Sequence, residues 1–460
     1  MNVKTSIDII NPANGEVIDT VPIASQKKVE LAAAIVRKAA LQCRSLSRFQ
    51  RSEILAKTAK LIALEKDQFA KLITKESGKT ITQSSAEVER CINTFQLAAE
   101  ETKRHVGEVI PFDSYAGSEN RQGYFTREPL GVIVAITPFN DPLNLVAHKL
   151  APAIATGNSI LLKPSELAPL SALKLEEVIV RAGFPKNAIA VLTGDAITGH
   201  ALVTLPYVRM VSFTGGMATA EAIVKAGGLK KYSMDLGGNA PVIVLADCDL
   251  EQAVAACISG SFWAAGQNCI GTQRIIIEEE IYAQFKRKLL EKIKLMKIGD
   301  PLDPTVDMGP MISEQAAKAA QLKVDLAVKA GAKVLCGHRR DGAFYQPTVL
   351  ENVGSDAQIL SDEVFAPIVN LITVKNFAQA IAIANEPDFS LHAGIFTNNL
   401  AKAQKAAAEL EFSGVMINDS SDYRFDAMPF GGYKYGGLGR EGVKFAMQEM
   451  SQSKVVCFTG

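Results

Sequence analysis

From Gly123 onward the 460-residue chain repeats one pattern: a short apolar run, a turn, an amphipathic stretch, then another apolar run. Gly131-Val-Ile-Val-Ala-Ile-Thr is almost continuously apolar and is ended by Pro138, as in a strand buried on both faces. The pattern predicts a helix over Leu143–Ala155, a strand over Ser159–Leu162 and a helix over Leu170–Ala182. It continues with strands over Ala188–Thr193 and Val208–Thr214 and a helix over Ala218–Ala226. Spacing of this kind requires parallel strands joined by crossovers, hence a doubly wound sheet whose ligands gather at the carboxyl ends of the strands.

A second series starts near Ala240. It predicts strands over Pro241–Leu245, Gln273–Ile277, Ile368–Val374, His392–Phe396 and Val415–Asn418. Helices over Leu250–Ala264, Ile281–Met296, Phe377–Asn385 and Leu400–Leu410 alternate with them. Ahead of both series, Ser25 to Val106 carries apolar residues at helical spacing, among them Val29, Leu31, Ala34, Ile35, Ile54, Leu55, Leu61 and Ile62. The plainest reading is two α/β domains in series, joined near Gly237-Gly238, and the length exceeds what one hydrophobic core sustains.

Composition narrows the function classes. Lys plus Arg equals Asp plus Glu at 49 each, and no basic run occurs, which argues against a nucleic-acid or membrane-surface partner. The opening Met1-Asn-Val-Lys-Thr-Ser-Ile-Asp lacks the apolar core of a signal peptide and no run is long enough to span a bilayer, so a cytoplasmic location is expected. Seven scattered cysteines (43, 91, 248, 257, 269, 336 and 457) include no CxxC pair and read as reduced thiols, most of them buried. Five dispersed histidines show no HExxH or zinc-ligand spacing, so no metal is expected. Gly437-Leu-Gly439-Arg-Glu-Gly442 matches GxGxxG, yet no strand is predicted before it, and it reads as a tight structural loop.

Cys269 is one cysteine of seven, and any one taken blindly is an inert thiol. Its setting, Gly266-Gln-Asn-Cys-Ile-Gly271, differs from the others: small residues let a substrate approach the backbone. A thiolate suits attack on an electrophilic carbon and calls for a depressed pKa, since a free thiol at about 8.5 is mostly protonated at neutral pH. Asn140 follows the buried strand, where its amide is either an oxyanion donor or an Asx-type turn residue before Asp141-Pro142.

Seven motifs stand in one order: Thr137-Pro-Phe-Asn140, Leu162-Lys-Pro-Ser-Glu166, Phe213-Thr-Gly-Gly216, Asp235-Leu-Gly-Gly-Asn239, Gly266-Gln-Asn-Cys269, Asp362-Glu-Val-Phe-Ala-Pro367, and Pro429-Phe-Gly-Gly with Gly439-Arg-Glu441. Together they resemble the NAD(P)-dependent, cysteine-nucleophile aldehyde dehydrogenase superfamily, from Asn11-Pro12 to the last strand. The resemblance implies an aldehyde oxidised to the acid through a Cys269 thioester, with Asn140 and the Cys269 N–H as oxyanion donors. Pro138, Lys163, Ser165, Glu166, Phe213, Gly215, Gly216, Glu363 and Phe365 would contact the cofactor. Lys163 and Glu166 would hold the adenosine ribose, where the carboxylate favours NAD, with NADP possible. The bare Gly215-Gly216 backbone leading into a helix suits a pyrophosphate.

Asp235 departs from the family, which usually has Glu there as the base that activates water. Asp235 acting through a water, a relay through Glu441, or release to a thiol such as coenzyme A are the readings open. A catalytically idle structural or binding protein is the rival from a different class. His148, Trp263, Asn268, Tyr423 and Arg424 map to the aldehyde entrance. Arg424 would pair with an anionic tail on a small aldehyde, or with Asp422 or Asp426 locally. The architecture implied is a Rossmann-like cofactor domain (1–107 and 128–236), an α/β catalytic domain (237–435) and a small β oligomerisation element (108–127 and 451–460). Such a ribbon implies a homodimer or homotetramer.

Overall fold

A computed structural model of the chain describes residues 5–460; Met1–Lys4, which open the segment read above for a signal peptide, lie outside the described residues. A hairpin of β1 (Ser6–Ile10) and β2 (Val17–Pro22) leads into α1 (Gln26–Ser45), α2 (Arg48–Leu64), α3 (Lys66–Ser77) and α4 (Ile81–Arg104). Local chemistry sets their ends. Ser25 caps α1, Ser47 with Gln50 and Thr80 with Gln83 form capping boxes on α2 and α4, and left-handed Gly78 stops α3.

The chain then forms β3 (Glu108–Ile110) and β4 (Arg121–Pro129) before entering the first sheet. Its elements are β5 (Val132–Ile136), α5 (Asn144–Ala155), β6 (Ser159–Lys163), α6 (Leu170–Ala182), β7 (Ile189–Val191), α7 (Ala196–Val203), β8 (Val208–Thr214), α8 (Met217–Gly227) and β9 (Lys231–Asp235). Strand order is β9-β8-β5-β6-β7, all parallel. Alternate residues serve opposite faces: Ile133, Ala135, Ile160 and Leu162 pack with α2, α4, α5 and α6, whereas Val132, Val134, Ile136 and Leu161 pack with α1, α7 and α8.

The second sheet begins with β10 (Ala240–Val244), α9 (Leu250–Phe262), β11 (Thr272–Glu278), α10 (Glu279–Ile293), α11 (Glu314–Lys329) and β12 (Lys333–Cys336). A short hairpin, β13 (Arg340–Asp341) and β14 (Phe344–Tyr345), precedes β15 (Thr348–Glu351) and the single turn α12 (Gln358–Ser361). Next come β16 (Ile368–Val374), α13 (Phe377–Asn385), β17 (Phe389–Ser390), β18 (His392–Phe396), α14 (Leu400–Glu409) and β19 (Gly414–Ile417). The order is β12-β15-β16-β11-β10-β18-β19, parallel but for edge strand β12. The fold is thus mixed α/β with two parallel sheets. The sequence pattern did not show β9, whose Lys231-Tyr-Ser-Met-Asp is largely polar, nor the elements between Glu314 and Glu351.

The two series are not simply consecutive, because the tail returns. After β20 (Tyr433–Lys434), β21 (Gly437–Leu438) pairs antiparallel with β9, setting Gly437 opposite Asp235. The GxGxxG decoy is therefore an added sheet edge followed by α15 (Val443–Glu449), whose Val443 and Met447 enter the first core. The last strand, β22 (Ser451–Thr459), pairs with β4 from Ser451–Pro129 to Thr459–Arg121 and completes the three-stranded ribbon β22-β4-β3. Val109, Tyr124, Val455 and Phe458 are exposed on it. Among the described residues no helix is long and apolar enough to cross a membrane, and no cluster of His, Cys, Asp or Glu could hold a metal ion. All seven cysteines are free, three of them fully buried, fewer than composition suggests.

Candidate active site

Helix α9 does not run on to Ala264 as its apolar pattern predicts. It stops at Phe262, and Ala264, Ala265 and Gly266 follow with φ of 49°, 54° and 69°. Left-handed alanines cost about 1–2 kcal/mol each, so the turn is strained and held by its surroundings. Gly266 has no alternative, since a side chain there would collide with the Ala366 carbonyl. Gln267 braces the loop: its amide donates to the Ala264 carbonyl (3.0 Å) and accepts from Ile312 N–H (2.9 Å). Asn268 Oδ1 accepts from Ile270 N–H (3.2 Å), which wraps the chain around Cys269.

Cys269, half-buried, lies in a cavity of about 320 Å³. Asn140 and Asp141 line it from the loop after β5, Ala86 and Arg90 from α4, Leu145 from α5, and Asp419, Asp422, Tyr423, Arg424 and Phe430 from the segment after β19. Trp263 and Asn268 complete the wall. The structure therefore brings together Cys269, Asn140, Trp263, Asn268, Tyr423 and Arg424. The Asn140 amide makes no hydrogen bond within the turn that follows it, so the Asx-turn alternative is not realised.

His148 is a correction. It was expected at the entrance, but its side chain is fully buried in α5 and Nε2 meets Asp426 Oδ1 at 2.8 Å, behind the cavity wall. For Arg424, which does line the cavity, the local ion pair left open above is not realised. It pairs with neither Asp422 nor Asp426, because Asp426 already accepts from Arg90 (2.9 Å), His148 and Asn144 (3.2 Å). Arg424 Nη2 instead donates to Glu441 (3.0 Å), and its guanidinium lies 3.7 Å from the centre of the Phe430 ring. Burial opposes ionisation of Asp426, yet its His148 and Arg90 partners hold the carboxyl well below its ordinary range.

Arg90 was not foreseen. It sits mid-helix in α4 outside every motif, paired with Asp141 (3.2 Å) and Asp426, with its side chain 32% exposed. The Nε–H groups of Arg90 and Arg424 are buried and have no hydrogen-bond partner among the described residues. Asp419 and Asp422 form no ion pair among the described residues; Asp422 accepts from the Ser420 hydroxyl, and burial raises its carboxyl.

Asp235 ends β9 as a buried carboxyl with both oxygens unpartnered. Burial raises its pKa well above the carboxylate range; neighbouring Glu441 adds to that, against Arg424 and Lys149. Glu441 is held differently. It accepts from Lys149 (2.9 Å), Thr214 (3.2 Å) and Arg424, and these cations overcome burial and keep it ionised. Cys269 does not show the depressed pKa its chemistry calls for: burial and then the Asp235 carboxyl raise it, with Arg424 opposing.

The residues expected to meet a cofactor lie along the carboxyl edge of the first sheet. Thr137 N–H donates to the Lys163 carbonyl (3.2 Å) and Gly215 N–H to the Asp235 carbonyl (3.1 Å), which links the loops after β5, β6, β8 and β9. Lys163 Nζ is 3.2 Å from Glu166 Oε2, and Ser165 Oγ accepts from Leu167 N–H (3.2 Å) to fix that turn. No side chain caps α8, whose N-terminal Gly216 faces open space, so its first N–H groups are free for an anion. Glu363 packs against Gly237 and accepts weakly from Gly238 N–H (3.4 Å), and burial raises its carboxyl to about 7. Phe365, at φ 50°, stacks edge-on against Phe139 at 5.8 Å, beside Pro138. Uncapped helix end, Lys–Glu pair and glycine-flanked carboxylate together fit a dinucleotide.

The sequence model of the aldehyde dehydrogenase family matches residues 1–456. Aspartate-semialdehyde dehydrogenase 1 of Pseudomonas canavaninivorans is 55% identical over 455 residues, covering 99% of this chain and 97% of that protein. The crystal structure of a glyceraldehyde-3-phosphate dehydrogenase of Methanocaldococcus jannaschii complexed with NADP superposes with a TM-score of 0.96 at 43% identity, covering 100% of both chains. Aldehyde dehydrogenase 21 of Physcomitrella patens, in complex with the reaction product succinate, gives a TM-score of 0.96 at 37% identity, covering 100% of this chain and 96% of that one.

The raised Cys269 thiol yields a test. Its alkylation by iodoacetamide in the cofactor-free protein should climb with pH, with a midpoint above the free-thiol value of about 8.5. A midpoint below neutrality would mean that Arg424, and not Asp235, dominates the potential at the sulfur.

Proposed function

The chain belongs to the aldehyde dehydrogenase family, and from that premise we propose that it oxidises a short aldehyde bearing a carboxylate and an ammonium group, of the aspartate-semialdehyde type, to the acid. One observation carries the reading: the Cys269 cavity is lined by two guanidinium groups, Arg90 and Arg424. A carboxylate satisfies such donors with charge-assisted hydrogen bonds. Asp419 and Asp422, without cation partners, favour a positive group on the same substrate, and the 55% identical Pseudomonas protein is named for an amino-acid aldehyde of that kind. About 320 Å³ admits a chain of a few carbons.

The residues divide the work. Cys269 gives up its proton to solvent, and the thiolate adds to the carbonyl carbon. The Asn140 amide and the Cys269 N–H hold the resulting oxyanion; one such donor is worth about 3–4 kcal/mol. A bound nicotinamide dinucleotide supplies the hydride acceptor. Lys163 and Glu166 grip its adenosine ribose, the α8 N-terminus its phosphates, and Glu363 its second ribose. Water, activated by Asp235, then opens the thioester to the acid and restores the thiol. Glu441, kept ionised by Lys149 and Arg424, offers Asp235 a neighbour through which a proton leaves. The exposed apolar side chains of the ribbon support a homodimer or homotetramer.

Four expectations follow from the site. With reduced-nicotinamide absorbance as readout, aspartate semialdehyde should exceed succinic semialdehyde, and both should exceed a neutral aldehyde of equal length by about 100-fold in kcat/KM. Arg90→Leu should raise KM roughly tenfold for the carboxylates and spare the neutral substrate, as expected for loss of uniform binding. Equal kcat/KM for charged and neutral aldehydes rejects the assignment. NAD should be preferred about tenfold or more over NADP because Glu166 repels a 2′-phosphate; equal values would mean that Lys163 neutralises it. Because Asp235 is one methylene shorter than the usual glutamate, thioester opening should limit turnover. Rapid mixing should give a burst of reduced cofactor near one per site, and Asp235→Asn should keep the burst while lowering the steady rate by about 10²-fold or more. Acceleration of the slow phase by coenzyme A, with an acyl-CoA product, would replace water with a thiol acceptor.

A further inference from the structure

Lys79, in Glu76-Ser-Gly-Lys-Thr80 between α3 and α4, belongs to none of the motifs discussed and contacts neither Cys269 nor the cofactor residues. Its side chain is only 2% exposed, and its ammonium bridges two carboxylates. Glu87 on α4 lies at 2.7 Å, and Asp141, the residue next to Asn140, is the second partner. Glu87 Oε1 accepts the N–H groups of Leu143 (2.8 Å) and Asn144 (3.0 Å), so it caps the first turn of α5 from a neighbouring helix. Burial opposes a charge on Lys79, but Asp141 and Glu87 outweigh it and raise its pKa. One ammonium thus pins both sides of the loop that carries Asn140: Asp141 directly, and Leu143-Asn144 through Glu87.

We propose that Lys79 is a positioning residue that fixes the Asn140 amide for the oxyanion. The inference rests on the oxyanion role of Asn140 given above. Beyond these contacts the loop is held by one backbone hydrogen bond, from Leu145 N–H to the Asp141 carbonyl (3.1 Å); among the described residues Asn140 makes no hydrogen bond, and Pro142 has no N–H to give. Arg90 reaches Asp141 from the cavity side but is itself shared with Asp426. Misplacement of a catalytic group by about 1 Å can cost about 10²-fold in rate.

The test is a double-mutant cycle on the full-length enzyme, read as burst rate and kcat at saturating aldehyde and cofactor. Lys79→Met should lower both about 10–100-fold, with the aldehyde KM and the alkylation rate of Cys269 changing less than about threefold. In an Asn140→Ala background the same substitution should cost less than about threefold, because the group it positions is gone. Removing Lys79 leaves two buried carboxylates unpaired and can cost several kcal/mol. Asp141→Asn, which keeps the Lys79–Glu87 pair, is therefore made alongside; it should show the same loss of kcat and the same disappearance in the Asn140→Ala background. Equal penalties in both backgrounds, with Asn140→Ala itself slow, would overturn the positioning role and leave the oxyanion assignment standing. Full kcat in Asn140→Ala alone would instead remove the oxyanion assignment, and this inference with it.

Discussion

Two adjoining sets of ion pairs lie between α4, α5 and the segment after β19, buried but for the partly exposed Arg90 and Asp141: Lys79 and Arg90 against Glu87, Asp141 and Asp426, and Lys149 and Arg424 against Glu441. Charges in a low-dielectric interior persist only when each is paired and hydrogen-bonded, and breaking one pair strands its partner. The network therefore has few alternative arrangements. It ties the four-helix layer, the first sheet and the returning tail together, and the cavity wall outside α9 and the strained turn after it is built from the same segments. His148 and Asn144 serve it from α5 by donating to Asp426, which explains a buried histidine that touches no cavity.

That frame also sets the electrostatics of the chemistry. Glu441 is satisfied by two cations, whereas Asp235 has none and sits beside it, so the proton that the pair shares rests on Asp235. Cys269, close to Asp235 and sparingly solvated, stays a thiol at rest. Such a site is quiet until something changes the potential at the sulfur or the access of water. The strain in Ala264, Ala265 and Phe365 lies in the two loops that face each other across Gly266, where the Ala366 carbonyl leaves no room for a side chain.

Much of the fold was legible because it is written in periodicity. Strands 208–214 and 368–374 and helices 170–182 and 377–385 begin and end where the apolar pattern changes, since a residue buried on both faces admits little but Val, Ile, Leu or Ala. Strand β9 was not legible: Lys231-Tyr-Ser-Met-Asp carries no apolar run, and the strand that pairs with its edge, β21, comes about two hundred residues later. Cys269, Asn140, Trp263, Asn268, Tyr423 and Arg424 were legible as one site only through their motifs. Arg90 left a faint trace. Gln83, Glu87, Arg90 and Thr94 recur at three- and four-residue steps beside the apolar face of α4, a polar stripe on a helix too apolar on its other side to be solvent-facing.

The sequence by itself determined two parallel sheets, the order of their elements and the identity of the groups at the carboxyl ends, because burial and chain direction act locally and leave a periodic record. Which charged group meets which was decided only in three dimensions. Arg424 has two aspartates within two residues, and sequence proximity favours them. The tertiary structure gives Asp426 to α4 and α5 and turns Arg424 toward Glu441, seventeen positions away. Helix packing fixes which carboxylate is already saturated with donors, and a side chain goes to the partner that remains.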